Sequence, residues 1–157
     1  MNEPEDFLKF VEQWKQQRSK PLAIICDIDD TICKQFDVPI PIACEVLRAL
    51  SRTITVHYVT ARPKEARKDT EEFMQVHRLP GWQNLYFCPS WQSSADHKKE
   101  RMKELAKEWN CLVSIGDANE DEEASQEADV PFVRVTTETV EQSWQEVREL
   151  LAEHLSE

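Results

Sequence analysis

The stretch LAIICDIDDT, residues 22–31, decides the fold. Its first five residues are apolar without a break, which suits a strand buried on both faces, as in a parallel sheet. At Asp27 the run gives way to three carboxylates (Asp27, Asp29, Asp30) and Thr31. In open α/β sheets ligands bind beyond the carboxyl ends of the strands. A switch from apolar to acidic therefore marks a strand and a candidate site together.

Working outward, four further apolar runs follow: ITVHYVT (54–60), NLYFC (84–88), CLVSI (111–115) and FVRV (132–135). Helical segments separate them. The spacing predicts a short helix around Ile42–Leu50 and one over Pro63–His77, with proline in its first turn. Another is expected over His97–Trp109 with Asp96 as N-cap, and a shorter one over Asn119–Glu127. The last, from Val140, places Val140, Trp144, Val147, Leu151 and Leu155 on one stripe. Upstream, Pro4–Arg18 carries Phe7, Val11 and Trp14 at helical spacing. The alternation predicts a doubly wound, Rossmann-like α/β sandwich of three layers around a five-stranded parallel sheet.

The 157 residues suggest a single domain, 1–157, with residues 1–20 as a helix packed on the core. A chain this long buries roughly 70% of its unfolded surface, enough for one core. The net charge is −11, from 30 acidic and 19 basic residues, which disfavours sequence-independent binding to a nucleic-acid duplex. Five cysteines, an odd number without CxxC spacing, read as buried free thiols in a reducing compartment. MNEPEDFLKF carries no hydrophobic secretion segment and no run reaches membrane-spanning length. The expectation is a cytoplasmic protein with no membrane partner.

The strand ends hold the chemistry. Asp27, Asp29, Asp30 and Thr31 follow the first strand, and Thr60, Ala61 and Arg62 follow the second. Lys98 opens the helix after the third, and Gly116, Asp117 and Asp121 follow the fourth. Lys98, Met102, Leu105 and Trp109 share one helical face, so Lys98 extends an apolar stripe to the sheet edge while Lys99 is rotated toward solvent.

This ordered set resembles the phosphatase branch of the haloacid dehalogenase superfamily. DIDDT (27–31) resembles its DxDxT motif, and VHYVT (56–60) its apolar strand ending in Thr or Ser. Lys98 fits the basic third motif and GDANED (116–121) the GDxxxD fourth. The likeness extends to polynucleotide 3′-phosphatase domains, through TARP and DHKK, and to class B acid phosphatases, through DIDDT.

The resemblance implies a Mg²⁺-dependent phosphomonoester hydrolase working through an aspartyl-phosphate. Asp27 is the implied nucleophile and Asp29 the acid and base. Asp27, the Asp29 carbonyl, Asp117 and Asp121 are the implied metal ligands. Thr60, Ala61 and Lys98 are implied to hold the phosphoryl oxygens. Arg62 either joins them or lies on the surface. Asp30 reads as a turn residue, His97 as a first-turn helix residue outside the site, and His57 as structural. Trp91 either packs locally or stacks on a base or other apolar leaving group.

Only about ten residues separate Thr31 from the next helix, and Phe87 lies similarly close to Lys98, so neither gap holds a cap domain. An open site suits a nucleic-acid end, a nucleotide or a small phosphate ester, or closure by a second subunit of a homo-oligomer. A polynucleotide 3′-phosphatase is the favoured specific reading and a cytoplasmic nucleotidase the alternative. A catalytically idle binding module of the same fold is the alternative from another class.

Overall fold

The computed structural model describes residues 4–155, apart from the side chains of residues 4, 5 and 14–19. Five strands form one parallel sheet: β1 (Leu22–Cys26), β4 (Ile54–Pro63), β5 (Leu85–Cys88), β6 (Asn110–Gly116) and β7 (Phe132–Arg134). Their order across the sheet is β5-β4-β1-β6-β7. The LAIIC run, residues 22–26, is thus the central strand, with Cys26 opposite Tyr58 of β4 on one side and Ile115 of β6 on the other. Side chains alternate across a strand. Ile24 and Cys26 enter a large core beneath α2 (Pro41–Arg48), α3 (Arg67–Val76) and α6 (Val140–Leu150). Ile25 faces the other way, onto Met102 and Leu105 of α4 (Ser94–Glu108) and Ala124 of α5 (Asn119–Ala128). The three-layer α/β sandwich is as expected.

Several boundaries differ. β4 runs on to Pro63, so Ala61 and Arg62 belong to the strand rather than to a turn after it. Pro63 is extended, at φ −74° and ψ 163°, and pairs with Cys88; a short 3-10 turn over Lys64–Ala66 precedes α3. Proline therefore ends a strand here instead of opening a helix. α4 begins earlier than expected, because Ser93 rather than Asp96 caps it: the Ser93 hydroxyl accepts the Asp96 N–H. Between Thr31 and α2 the chain forms a small antiparallel hairpin, β2 (Cys33–Lys34) and β3 (Val38–Pro39), too short for the strand pattern to show. Gln35 and Phe36 at its tip have positive φ, 51° and 74°. Among the described residues no insert larger than this hairpin covers the sheet edge.

α1 (Pro4–Ser19) forms, but its expected packing on the core is not met at Phe7, Leu8 and Phe10, which remain 51%, 61% and 64% exposed. Of the expected stripe, Phe7 is exposed and Val11 half-buried, while Leu8 and Phe10 flank it. The side chain of Trp14, expected on that face, lies outside the described residues, as do residues 1–3 and 156–157 of the expected domain. All five cysteines are free thiols, four of them buried. No described helix is long and apolar enough to cross a membrane.

Candidate active site

The central strand delivers Asp27 to the sheet edge. Its N–H continues the parallel ladder by donating to Ile115 O at 2.9 Å, and its side chain is buried. The chain then turns tightly, with Thr31 and Ile32 N–H both donating to Ile28 O and Asp30 at φ 61°. Asp30 is the turn residue expected. The turn is anchored from beneath by Trp144 of α6, whose indole N–H donates to Thr31 O at 3.1 Å. Buried tryptophan needs such a partner. The Thr31 hydroxyl in turn donates to Asp27 Oδ2 at 3.4 Å.

Lys98 enters from α4, with Met102 and Leu105 buried along the same face. Its ammonium lies 3.5 Å from Asp27 Oδ1 and 2.8 Å from Asp121 Oδ1. Asp121 reaches the site because Gly116 has no side chain: a Cβ there would stand 2.5 Å from the Asp121 carboxyl carbon. The other Asp121 oxygen accepts the Ala118 N–H at 3.1 Å, which fixes the turn between β6 and α5. Arg134 holds the same turn from outside, donating to Asp117 O at 3.0 Å and Asn119 Oδ1 at 2.9 Å. Asp27, Asp117 and Asp121 present oxygens all within 4.8 Å of one another.

Thr60 is fully buried in β4, beside the central strand, and its hydroxyl accepts the Arg62 N–H at 3.0 Å. Ala61 points outward and is exposed. Arg62 is not a surface residue: its side chain is 4% exposed. Its Nε and Nη2 grip Asp29 Oδ2 and Oδ1 at 3.0 and 2.8 Å. Nη2 also donates to Phe36 O at 2.6 Å, and Nη1 to the Thr70 hydroxyl at 2.9 Å. Asp29 therefore sits apart from the three-carboxylate cluster, with its side chain turned to Arg62.

Electrostatics explain the cluster. Burial, then the Asp121 charge, pushes the Asp27 carboxyl well above the usual range, and Lys98 opposes this. Burial also raises Asp121, again against Lys98. Burial alone would lower Lys98, but Asp27 and Asp121 outweigh it and hold the ammonium charged. One ammonium thus faces two buried carboxylates, Asp27 and Asp121, and a further positive charge is needed to keep both ionised. Asp27, Asp117 and Asp121 all offer oxygen, the donor set of a hard divalent cation. The residues present fit such an ion.

Sequence reasoning brought Asp27, Thr60, Lys98, Asp117 and Asp121 to one edge, and the structure places them there. It missed Thr31 as a donor to Asp27, Thr70 as a support for Arg62, and Trp144 as the anchor of the turn. Only Trp144 carried a signal, since an indole on a buried stripe must donate to something. His97, kept outside the site, is buried with Nε2 3.1 Å from Tyr86 O, where it ties α4 to β5. His57 is buried as a structural residue, with Nδ1 3.1 Å from the Tyr86 hydroxyl. Trp91 stands 80% exposed in the loop between β5 and α4, so the local packing reading fails there.

A search of curated protein sequences returned no significant match. Among solved structures, the class C acid phosphatase from Bacillus anthracis shares 12% identity at a TM-score of 0.59, covering 96% of this chain and 86% of that one. Its tungstate-bound structure gives 11% identity, a TM-score of 0.59, and coverage of 97% and 86%. Those similarities concern the fold. The sequence pattern of the HAD superfamily, subfamily IIIB (acid phosphatase), matches residues 34–141, a span that takes in Thr60, Lys98, Asp117 and Asp121. The chain therefore belongs to subfamily IIIB of the HAD superfamily and is a phosphatase, a hydrolase of phosphate monoesters.

Proposed function

We propose that the chain is a Mg²⁺-dependent phosphomonoesterase with Asp27 as nucleophile. The observation that carries this is the seating of Asp27 at the end of the central strand, with Lys98 at 3.5 Å and Asp117 and Asp121 alongside. Asp27, Asp117 and Asp121, with the Asp29 backbone carbonyl, would hold Mg²⁺, which supplies charge neutralisation at the phosphoryl oxygens.

The chain's own residues do the rest. An Asp27 oxygen forms a bond to phosphorus as the ester P–O bond breaks, giving an aspartyl-phosphate. Asp29 gives its proton to the departing alcohol oxygen, then takes one from the water that attacks phosphorus. The Asp27–phosphorus bond breaks and inorganic phosphate leaves. Lys98, the Thr60 hydroxyl and the Ala61 backbone contact the phosphoryl oxygens, where negative charge builds in the transition state. Removing the Asp27 nucleophile tests this: Asp27→Asn should fold, by circular dichroism, yet lose turnover of p-nitrophenyl phosphate in Mg²⁺. Retained turnover would end the reading.

The uncapped edge supports an open substrate range. A groove of about 220 Å³ opens beside Asp117, lined by Asp30, Val135, Thr136 and Thr137. Trp91 offers an exposed aromatic face to a base or aryl leaving group. Nucleotides and 3′-phosphorylated strand ends both suit this edge, and the net charge of −11 favours the smaller of the two, which reverses the order expected from the motifs. Comparative kcat/KM for a nucleoside monophosphate and a 3′-phosphorylated oligonucleotide decides between them; preference for the oligonucleotide would overturn the order given.

A further inference from the structure

We propose that Arg62 is a positioning residue that aims Asp29 at the aspartyl-phosphate, and that it does not bind the phosphoryl group. This rests on Asp29 being the acid and base, as set out above.

A guanidinium has five N–H donors and no acceptor. In Arg62 four of them are committed within the protein: Nε and one Nη2 hydrogen to the two Asp29 oxygens, the other Nη2 hydrogen to Phe36 O, and one Nη1 hydrogen to Thr70. A single Nη1 hydrogen is left, too few for the paired contact by which arginine grips a phosphate. The group is also immobilised. The Phe36 ring lies against it, 3.9 Å from Cζ to the ring centroid. Thr70 cannot swing away, because its hydroxyl donates to Ala66 O at 2.7 Å.

The consequence falls on Asp29. Its side chain is 44% exposed and hangs from a tight turn, where a lone carboxylate would sample several rotamers. The two-pronged contact fixes both its position and its plane. Each carboxylate oxygen has lone pairs beyond the one that Arg62 occupies, so a face remains for water or the leaving oxygen. Arg62 also binds the tip of the β2–β3 hairpin through Phe36 O, so the hairpin and Asp29 are held as one unit.

Phosphoenzyme trapping separates this role from phosphate binding and from mere folding. With p-nitrophenyl phosphate the leaving group departs without help from an acid, so Asp27 is phosphorylated even when Asp29 is misplaced. Water attack still needs Asp29. Arg62→Ala and Asp29→Asn should both show a stoichiometric burst of p-nitrophenol and covalent phosphate in acid-quenched protein. Steady-state kcat should fall between about tenfold and a hundredfold in Arg62→Ala, the range expected for a misplaced reacting group, and by about a hundredfold or more in Asp29→Asn, where the base itself is lost. Arg62→Lys should lie between these variants and wild type. Inhibition by inorganic phosphate should be unchanged in Arg62→Ala.

Loss of turnover in Arg62→Ala with weakened phosphate inhibition and no burst would overturn the inference, as would unaltered kinetics. Absence of a burst in Asp29→Asn would instead overturn the acid–base assignment, and the inference with it. Should Arg62→Ala fail to fold, Thr70→Val, which removes one support of the guanidinium, must show the same burst in weaker form or the inference fails.

Discussion

The Lys98 ammonium stands 2.8 Å from Asp121 Oδ1, although the two residues lie on different helices. It is this pairing, on the buried face of α4, that singles out one of two adjacent lysines. Lys99 lies on the outside, partly exposed and 3.9 Å from Glu123. Loss of a positive charge that meets developing negative charge in a water-poor site costs on the order of 3 kcal/mol, about a hundredfold in rate. Lys98→Ala should fall by that factor in kcat, while Lys99→Ala, with a surface pair worth roughly 0–1 kcal/mol, stays near wild type. Kinetics of the two purified variants check this, and a dead Lys99→Ala would reverse the assignment.

The three-carboxylate cluster predicts a metal requirement. EDTA should remove activity and Mg²⁺ restore it. Asp117 is the least buried of the three, so Asp117→Asn should spare the fold while shifting the Mg²⁺ titration to higher concentration. An unchanged titration would remove Asp117 from the ligand set.

Much of this arrangement could be read from the sequence because it rests on local rules. A buried parallel strand is an unbroken apolar run, and its carboxyl end is where the polar residues must stand. Lys98 was placed by the four-residue and three-residue steps to Met102 and Leu105, which hold whatever packs above. The Arg62–Asp29 pair was not legible. It joins residues 33 positions apart through a side chain on a strand, and strand periodicity says which face a residue takes but not what it reaches. The extension of β4 past Thr60 was missed because Pro63 suggested a helix start, whereas at the edge of the site it closes a strand. α1 failed in the opposite way: helical spacing in Phe7 and Val11 announces a helix without naming a surface to cover it.

Gly116 makes a sharper test of packing. A methyl group there meets the Asp121 carboxyl carbon at 2.5 Å, closer than nonbonded atoms tolerate. Gly116→Ala should displace Asp121 from Lys98 and from the Ala118 N–H. Overpacking of this kind typically costs about 1–3 kcal/mol. A lower melting temperature together with reduced activity is expected. Wild-type activity in Gly116→Ala would mean that Asp121 need not lie where it does.

His57 supplies a prediction about pH that is independent of the active site. Its ring is buried in β4 against Trp109, with ring centroids 4.6 Å apart, and Nε2 has no partner among the described residues. Burial lowers its pKa from 6.5 to about 4. Between those values the unfolded chain binds a proton that the folded chain refuses, so stability falls as pH falls through that window and levels off below it. The shift corresponds to at most about 3 kcal/mol, and a loss of at least roughly 2 kcal/mol is expected near pH 4. Replacing the ring with His57→Phe keeps an aromatic in the same pocket but removes the titration. Urea unfolding at pH 7 and again near pH 4 should show wild type losing at least about 2 kcal/mol more than the variant. Equal losses in the two proteins would mean that His57 accepts its proton in the folded state as readily as in the unfolded chain.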